Sequence, residues 1–217
     1  MTDMTQRPFP GPRLYLVTPP LADTAAFARD LALVLEAGDI AALLLRLVPA
    51  DERTLINRAK ALAAIVQRRD IAILLDGNAD IAARASADGA HLNGIEALTA
   101  AIGSLQPDRI AGCGELRSRH DAMLAGEAGA DYVMFGEPNR YGRRPPFAAV
   151  EERVAWWAGL FEVPCVGYAS GLDEVAPLAR AKADFVALGD WIWTNETAPA
   201  ATVAAATASL RETVAPQ

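Results

Sequence analysis

One junction recurs three times in this sequence and limits the folds that the chain can adopt. Segments 87–92 (ADGAHL), 130–136 (ADYVMFG) and 183–189 (ADFVALG) each follow an alanine-rich helical stretch and open a short apolar run. Their spacing fits pairs of βα units in a parallel barrel, because eight such units take about 250 residues. The segments are therefore predicted to begin alternate strands of one repeated helix-to-strand arrangement. Such a barrel carries its chemistry at the C-terminal ends of its strands.

Eight short apolar runs alternate with helical patterns along the chain. The runs mostly lack polar alternation, which is typical of parallel strands covered on both faces. The predicted strands are 14–18, 41–46, 71–75, 89–92, 109–113, 132–135, 163–167 and 185–188. The predicted helices are 22–37, with Gly38 as its C-cap, then 51–68, 78–86, 95–104, 118–128, 148–160, 172–182 and a last one from about residue 190.

This alternation predicts an α/β protein with a single (β/α)8 TIM barrel over residues 13–210, preceded by a flexible N-terminal arm at residues 1–12. An open doubly wound sheet is the alternative. It is disfavoured because no G-x-G-x-x-G turn follows the first strand.

Composition excludes several classes of partner. The net charge is −7 and no basic run is present, so no nucleic-acid binding is expected. The longest uncharged apolar stretch, residues 40–45, is too short to span a bilayer, so no membrane insertion is expected. Aromatic residues make up only 6%, so aliphatic side chains and alanine are expected to fill the core. The two cysteines fall in separate predicted strands, which favours reduced buried thiols in a cytoplasmic protein.

Several segments resemble the thiamine phosphate synthase family, which also includes thiazole tautomerases of the same fold. The matching segments are 14–18 (LYLVT), 43–46 (LLLR), 87–92, 129–136 and 183–188, which in order and spacing cover residues 13 to 194. The resemblance implies a transferase of thiamine biosynthesis, which joins hydroxymethylpyrimidine diphosphate to a thiazole phosphate and releases pyrophosphate. It also implies small-molecule substrates, Mg²⁺ beside the diphosphate and a homodimer.

The resemblance assigns roles to residues after the second, third and fourth strands. Of the family's Gln-x-Arg-x-Lys, segment 44–48 keeps only Arg46, which is expected to hold pyrophosphate. In segment 76–78 (DGN) a glycine stands at the metal-binding aspartate, so Asp76 beside it is expected to bind Mg²⁺ and Asn78 to contact substrate. Glu96 stands at the family's second metal ligand.

The loops after the sixth, seventh and eighth strands depart further from the family. Loop 136–145 lacks the family's threonines, and Arg140, Arg143 or Arg144 is expected to replace its lysine. Ser170 and Gly171 stand where a Gly-Gly pair cradles phosphate. The catalytic residues expected from the resemblance are Arg46 and Arg143. The substrate-binding residues expected are Asn78, His91, Cys113, Glu137, Arg144, Tyr168, Ser170, Gly171 and Asp190, and the metal ligands are Asp76 and Glu96.

Asp190 is the strongest argument against an unmodified synthase. A carboxylate at a helix start occupies the electropositive end that should receive phosphate, although it could simply cap the last helix. Weak or altered activity is therefore expected. The alternatives are a non-catalytic paralogue that binds or senses a small molecule, and a barrel enzyme with a non-phosphorylated or cationic substrate. The tautomerase reaction is no better supported, because Leu116 matches its catalytic histidine.

Overall fold

The computed structural model describes residues 11–139, 141–194 and 197–214. Within them eight parallel strands form a closed barrel in chain order, with β8 paired to β1. The strands are β1 (Arg13–Val17), β2 (Ile40–Leu45), β3 (Ala72–Asp76), β4 (Gly89–Asn93), β5 (Ile110–Gly114), β6 (Tyr132–Phe135), β7 (Cys165–Ala169) and β8 (Phe185–Leu188). The predicted (β/α)8 fold is confirmed, and each predicted strand overlaps an observed one.

In the ranges that the structure describes, eight α-helices follow the strands and three short 3-10 turns accompany them. The α-helices are α1 (Thr24–Val34), α2 (Glu52–Val66), α3 (Ala79–Ala82), α4 (Ile95–Leu105), α5 (Arg119–Glu127), α6 (Phe147–Ala158), α7 (Val175–Arg180) and α8 (Pro199–Val214). The 3-10 turns are Gln67–Arg69, Leu172–Glu174 and Asp190–Trp193. None of the helices in the described ranges is long and apolar enough to cross a membrane.

Two predicted helix ends are wrong. The first helix ends at Val34, so Gly38 is not its C-cap. Gly38 instead provides space, because a Cβ there would collide with Thr207 of α8. The last helix begins at Pro199 rather than near Asp190, which belongs to a separate 3-10 turn. The barrel's last helix also extends past the predicted boundary at residue 210, whereas most of the predicted arm lies outside the described residues.

The recurring aspartates connect neighbouring strands. Each stands immediately before an even-numbered strand and exchanges two hydrogen bonds with one residue of the preceding strand. Its backbone N–H donates to that residue's carbonyl, and its carboxylate accepts that residue's N–H at 2.8 Å. We call these pairs the aspartate ties; they are Asp88 with Ile73, Asp131 with Ala111 and Asp184 with Cys165.

The sheet separates two apolar layers. The larger layer lies between the sheet and the helices and includes both cysteines, which are buried and unpaired with each other. The smaller layer fills the barrel interior. The interior contains three of the chain's four tyrosines, Tyr15, Tyr132 and Tyr168. The expectation that aliphatic residues alone fill the core is therefore wrong for the interior, which carries hydroxyl groups towards the strand ends.

Candidate active site

The C-terminal ends of the strands surround a cavity of about 450 Å³, which we call the mouth. Its charged side chains come from five different strand ends. They are Arg46 after β2, Asp76 at the end of β3, Glu115 after β5, Glu137 after β6 and Asp190 after β8. Among the described residues, one cation therefore faces four carboxyl groups, in the position where parallel barrels place their chemistry.

Arg46 lies between two of these carboxylates. Its Nε is 3.5 Å from Asp76 Oδ2 and its Nη1 is 3.4 Å from Asp190 Oδ2. Both contacts exceed the 2.7–2.9 Å that is typical of charge-assisted hydrogen bonds, and the side chain is 35% exposed. Arg46 therefore pairs with Asp76 and with Asp190. The guanidinium is oriented but loosely bound, so an anionic ligand can compete for it.

Asp190 does not cap a helix. It is the first residue of a 3-10 turn in which no side chain caps the backbone, and its carboxylate faces Arg46. The helix-capping interpretation is therefore wrong. The carboxylate also lies on the side of the mouth where a ligand phosphate was expected.

Asp76 is held from both sides. Its Oδ1 accepts a hydrogen bond from Asn93 Nδ2 at 3.1 Å, while Oδ2 faces Arg46. Asn78 donates through Nδ2 to the carbonyl oxygen of Asp76 at 2.7 Å and does not line the mouth. Asn78 therefore shapes the turn after β3, and Asn93 is the amide that reaches the cavity.

A line of hydrogen bonds crosses the floor of the mouth. The hydroxyls of Tyr15 and Tyr132 are 2.8 Å apart, and the Tyr132 hydroxyl is 2.8 Å from His91 Nδ1. Burial lowers the pKa of His91 to about 4 and raises the pKa of both tyrosines. At neutral pH all three groups are therefore uncharged, which suits a floor that is buried in the barrel. His91 is 2% exposed, so it is a hydrogen-bonded core histidine that also borders the cavity.

Glu137 lies beside His91 above this floor. A Cβ on Gly114 would collide with both Glu137 Oε1 and His91 Nε2, so a glycine is needed where these groups meet β5. Glu137 Oε1 also accepts the backbone N–H of Glu115, whose φ is +51°. Burial raises the pKa of Glu137 to about 7, so this carboxyl group changes charge near neutral pH.

Replacing Glu137 by glutamine is expected to stabilise the protein at pH 8 by about 3 kcal/mol. The folded state favours the protonated acid, so the stability that this group contributes is present below its ordinary pKa of 4.5 and is lost as the pH rises from there to about 7. Glutamine keeps an acceptor for the Glu115 N–H and never ionises. Urea unfolding at pH 5 and pH 8 measures the effect, with the exposed Glu127→Gln as the matched charge control. An equal gain at both pH values would contradict the prediction.

Arg144 fastens the loop after β6 to the loop after β7. Its Nη1 contacts both carboxylate oxygens of Glu174, at 3.1 and 3.0 Å, and also the hydroxyl of Ser170. Glu174 Oε2 in turn accepts the backbone N–H of Ser170 at 2.7 Å. The Arg144 and Glu174 side chains are 20% and 12% exposed. Ser170 was expected to contact phosphate, but its N–H donates to Glu174 and its hydroxyl oxygen accepts from Arg144.

The ends of β7 and β8 are filled in a similar way. Tyr168 packs against the backbone of β8, because a Cβ on Gly189 would collide with its hydroxyl. Burial, with a smaller contribution from the Asp190 charge, raises the pKa of Tyr168 to about 12. Trp191 donates from Nε1 to the carbonyl of Ala169 at 2.9 Å. Aromatic side chains therefore occupy the space between these two strand ends.

The structure divides the predicted site residues into three groups. Those lining the mouth are Arg46, Asp76, His91, Glu137, Tyr168 and Asp190. A second cavity beside the mouth is lined by Arg143 and Arg144, and Glu137 borders both cavities. Neither cavity is lined by Asn78, Glu96, Cys113, Ser170 or Gly171. Arg140 lies outside the described residues.

Cys113 is the clearest correction. It is fully buried in the layer between the sheet and the helices, on the opposite face of β5 from the mouth. It therefore cannot contact a ligand at the strand ends. Glu96 is exposed in the first turn of α4, away from both cavities, so its role as a metal ligand stays a prediction.

Comparison with known proteins supports the family that the sequence segments resemble. The family model described as thiamine monophosphate synthase matches residues 14–192. A thiamine-phosphate synthase from Rhodospirillum centenum is 41% identical over 195 residues, covering 88% of this chain and 94% of the relative. One from Hyphomonas neptunium is 38% identical over 216 residues, covering 94% of this chain and 96% of the relative.

The chain belongs to the thiamine monophosphate synthase family. A solved structure agrees on the fold. The thiamine phosphate pyrophosphorylase from Pyrococcus furiosus superposes with a TM-score of 0.76 at 20% identity, covering 93% of this chain and 96% of that chain.

Two positions that the resemblance assigned to a glutamine and a lysine carry apolar side chains in this member of the family. Leu44, at the position of the family's glutamine, lines the cavity, and Val48, at the family's lysine, does not line it. Sequence reasoning missed Asn93 and Asn139, which line the mouth, and Tyr132, which holds His91. The only signal for Tyr132 is its position as the first residue of an otherwise apolar strand.

Proposed function

We propose that this chain is a transferase that joins hydroxymethylpyrimidine diphosphate to a thiazole phosphate and releases pyrophosphate. Family membership supports the reaction, and the position of Arg46 is the observation that carries it to this mouth. Arg46 is a partly exposed cation between Asp76 and Asp190, with contacts of 3.4 and 3.5 Å that an incoming diphosphate can replace.

In this reaction the bond between the pyrimidine methylene carbon and the diphosphate oxygen breaks. The thiazole nitrogen donates its electron pair to that carbon, and pyrophosphate leaves with the electrons of the broken bond. Arg46 would hold the departing anion. Asp76 and Asp190 would face the positive charge that develops on the pyrimidine methylene, which favours its formation.

Mg²⁺ fits this mouth only together with the diphosphate. Among the described residues, no group of three or more histidine, cysteine or acidic side chains could hold a metal ion. Mg²⁺, however, is commonly bound by one or two carboxylates plus substrate phosphates. Asp76 is the carboxylate best placed to contribute, since it lines the mouth and contacts Arg46. The bound ion would supply neutralisation of the charge on the leaving pyrophosphate.

The wider setting of this function follows from charge and thiol chemistry. The two buried free cysteines support a reducing compartment such as the cytoplasm. A net charge of −7 is consistent with small-molecule partners rather than nucleic acid. A homodimer stays a prediction.

A reconstituted assay tests the proposal. The purified chain is incubated with both substrates and Mg²⁺, and thiamine phosphate and pyrophosphate are measured together. Equal amounts of the two products are expected, and chelation of Mg²⁺ is expected to stop the reaction. Binding of the pyrimidine diphosphate by the folded protein with no turnover would instead identify a binding or sensing paralogue.

A further inference from the structure

The usual phosphate position of a (β/α)8 barrel is blocked in this protein. Such barrels frequently bind phosphate in the loops after strands 7 and 8. Here Glu174 accepts the Ser170 N–H at 2.7 Å, and Arg144 occupies the Ser170 hydroxyl. Asp190 adds a carboxylate after β8. A phosphate entering this position would meet two carboxylates, and the Ser170 N–H is already donated to one of them.

A second cavity lies beside the mouth, at the C-terminal ends of β5 and β6. It has a volume of about 270 Å³ and lies between the loops after β5 and β6 and the start of α6. We call it the arginine cavity, because its lining includes Arg117, Arg143, Arg144 and Arg153. It shares Glu115, Glu137 and Asn139 with the mouth. One ligand can therefore place a ring in the mouth and a side arm in the arginine cavity.

Three of these arginines are available to an anion. Within the described ranges, Arg117, Arg143 and Arg153 form no ion pair with an acidic side chain. Arg153 is oriented by hydrogen bonds to the carbonyls of Leu116 and Arg117, at 3.0 and 2.8 Å. These use two of the five N–H donors of a guanidinium. Arg144 Nε is buried without a hydrogen-bond partner among the described residues.

The loop that carries Arg143 is built to hold its position. The side chain of Asn139 accepts the backbone N–H of Tyr141 at 2.9 Å and that of Arg143 at 3.1 Å. The Asn139 N–H donates to the Arg143 carbonyl at 2.9 Å. A cation carried on such a turn loses little conformational freedom when it binds a ligand.

The two acidic groups of the arginine cavity do not cancel its positive charge. In the described part of the chain its lining has four arginines, of which Arg144 is neutralised by Glu174. The carboxyl groups are Glu115 and Glu137, and burial raises the pKa of Glu137 to about 7. Below that pH Glu137 is mostly neutral, and three available cations face one carboxylate.

We propose that the phosphate group of the acceptor substrate binds in the arginine cavity, to Arg117, Arg143 and Arg153, and not at the ends of β7 and β8. This inference rests on the proposed function for the identity of the ligand. The guanidinium groups favour an anion such as phosphate, and the cavity is large enough to hold one.

Direct binding tests the site without requiring turnover. Inorganic phosphate is titrated into the full chain by calorimetry at pH 6.5, for the wild type and for Arg117→Gln, Arg143→Gln and the double variant. Each single substitution is expected to weaken phosphate binding roughly tenfold, since a charge-assisted contact contributes on that scale. Arg119→Gln, an exposed arginine on α5 that pairs with Glu152, is the matched charge control.

The outcomes separate this inference from the proposed function. The same two variants are expected to raise the KM for thiazole phosphate while leaving the KM for the pyrimidine diphosphate unchanged. Phosphate binding that survives both substitutions but weakens in Ser170→Ala would place the phosphate after β7 and overturn the inference, even in an active enzyme. Equal turnover of the thiazole alcohol and its phosphate would also overturn it. Loss of phosphate binding in a chain with no transferase activity would contradict only the proposed function.

Discussion

Arg46→Gln is expected to lower the rate of transfer by at least about 100-fold, which corresponds to roughly 2.7 kcal/mol. Arg46 is the only cation lining the mouth within the described residues, and it lies between Asp76 and Asp190. Glutamine keeps a similar length but removes the charge that would stabilise departing pyrophosphate. Pyrophosphate release under saturating substrates measures the effect.

A structural role for Arg46 predicts a different result. Its two ion pairs are partly exposed and long, so their removal is expected to cost at most about 1 kcal/mol of stability. The exposed Arg29→Gln on α1 controls for the loss of one positive charge. A near-normal rate in Arg46→Gln, or a loss of rate fully explained by unfolding, would show that Arg46 does not act on the substrate.

Asp184→Ala is expected to destabilise the fold by about 2–3 kcal/mol, because a buried backbone N–H loses a charged acceptor. The carboxylate of Asp184 accepts the N–H of Cys165 at 2.8 Å, where Cys165 is fully buried at the start of β7. For a chain of this length the melting temperature should fall by roughly 5–10 °C.

An isosteric variant separates the hydrogen bond from the charge. Asp184→Asn keeps one acceptor oxygen in place and is expected to lose about half as much stability. Asp30→Ala, at an exposed position on α1, controls for the charge and should change little. Equal stability of Asp184→Ala and Asp30→Ala would mean that the aspartate ties do not stabilise the barrel.

The fold was predictable from the sequence because its signals are local and repeated. Apolar runs mark the strands, and the aspartate before each of three even-numbered strands is a position-specific signal with a physical basis in the ties. Helix ends were less predictable. Aspartate is a common helix-capping residue, but at Asp190 the chain forms a 3-10 turn. This turn places the Asp190 carboxylate beside Arg46.

The site was predictable only as far as strand ends determine it. Arg46 and Asp76 are directly at strand ends and both line the mouth. The prediction that Cys113 contacts substrate failed because successive residues of a strand point to opposite faces. A difference of one residue therefore decides whether a side chain faces the mouth or the helices. Its neighbour Gly114 is the residue that meets His91 and Glu137.

Side-chain contacts between residues far apart in the sequence were not predictable at all. The pairing of Arg144 with Glu174 joins residues on two loops that carry no shared motif. Tyr15 and Tyr132 likewise meet across the barrel, and nothing in their own strands indicates that hydrogen bond. Such contacts depend on the closed sheet, and the sequence shows only the residues that are able to form them.

The link between Arg144 and Glu174 has a consequence for how ligands enter. The loop after β6 is joined to the loop after β7 by this ion pair, and both side chains are largely shielded from solvent. The loop after β6 would therefore not open independently of its neighbour. On this side the entrance to the mouth would keep a nearly constant width. Product release would then not require a movement of these two loops. A variant that accepts a bulkier acceptor substrate would need to lose the ion pair between Arg144 and Glu174, because a longer loop alone would still be held by it.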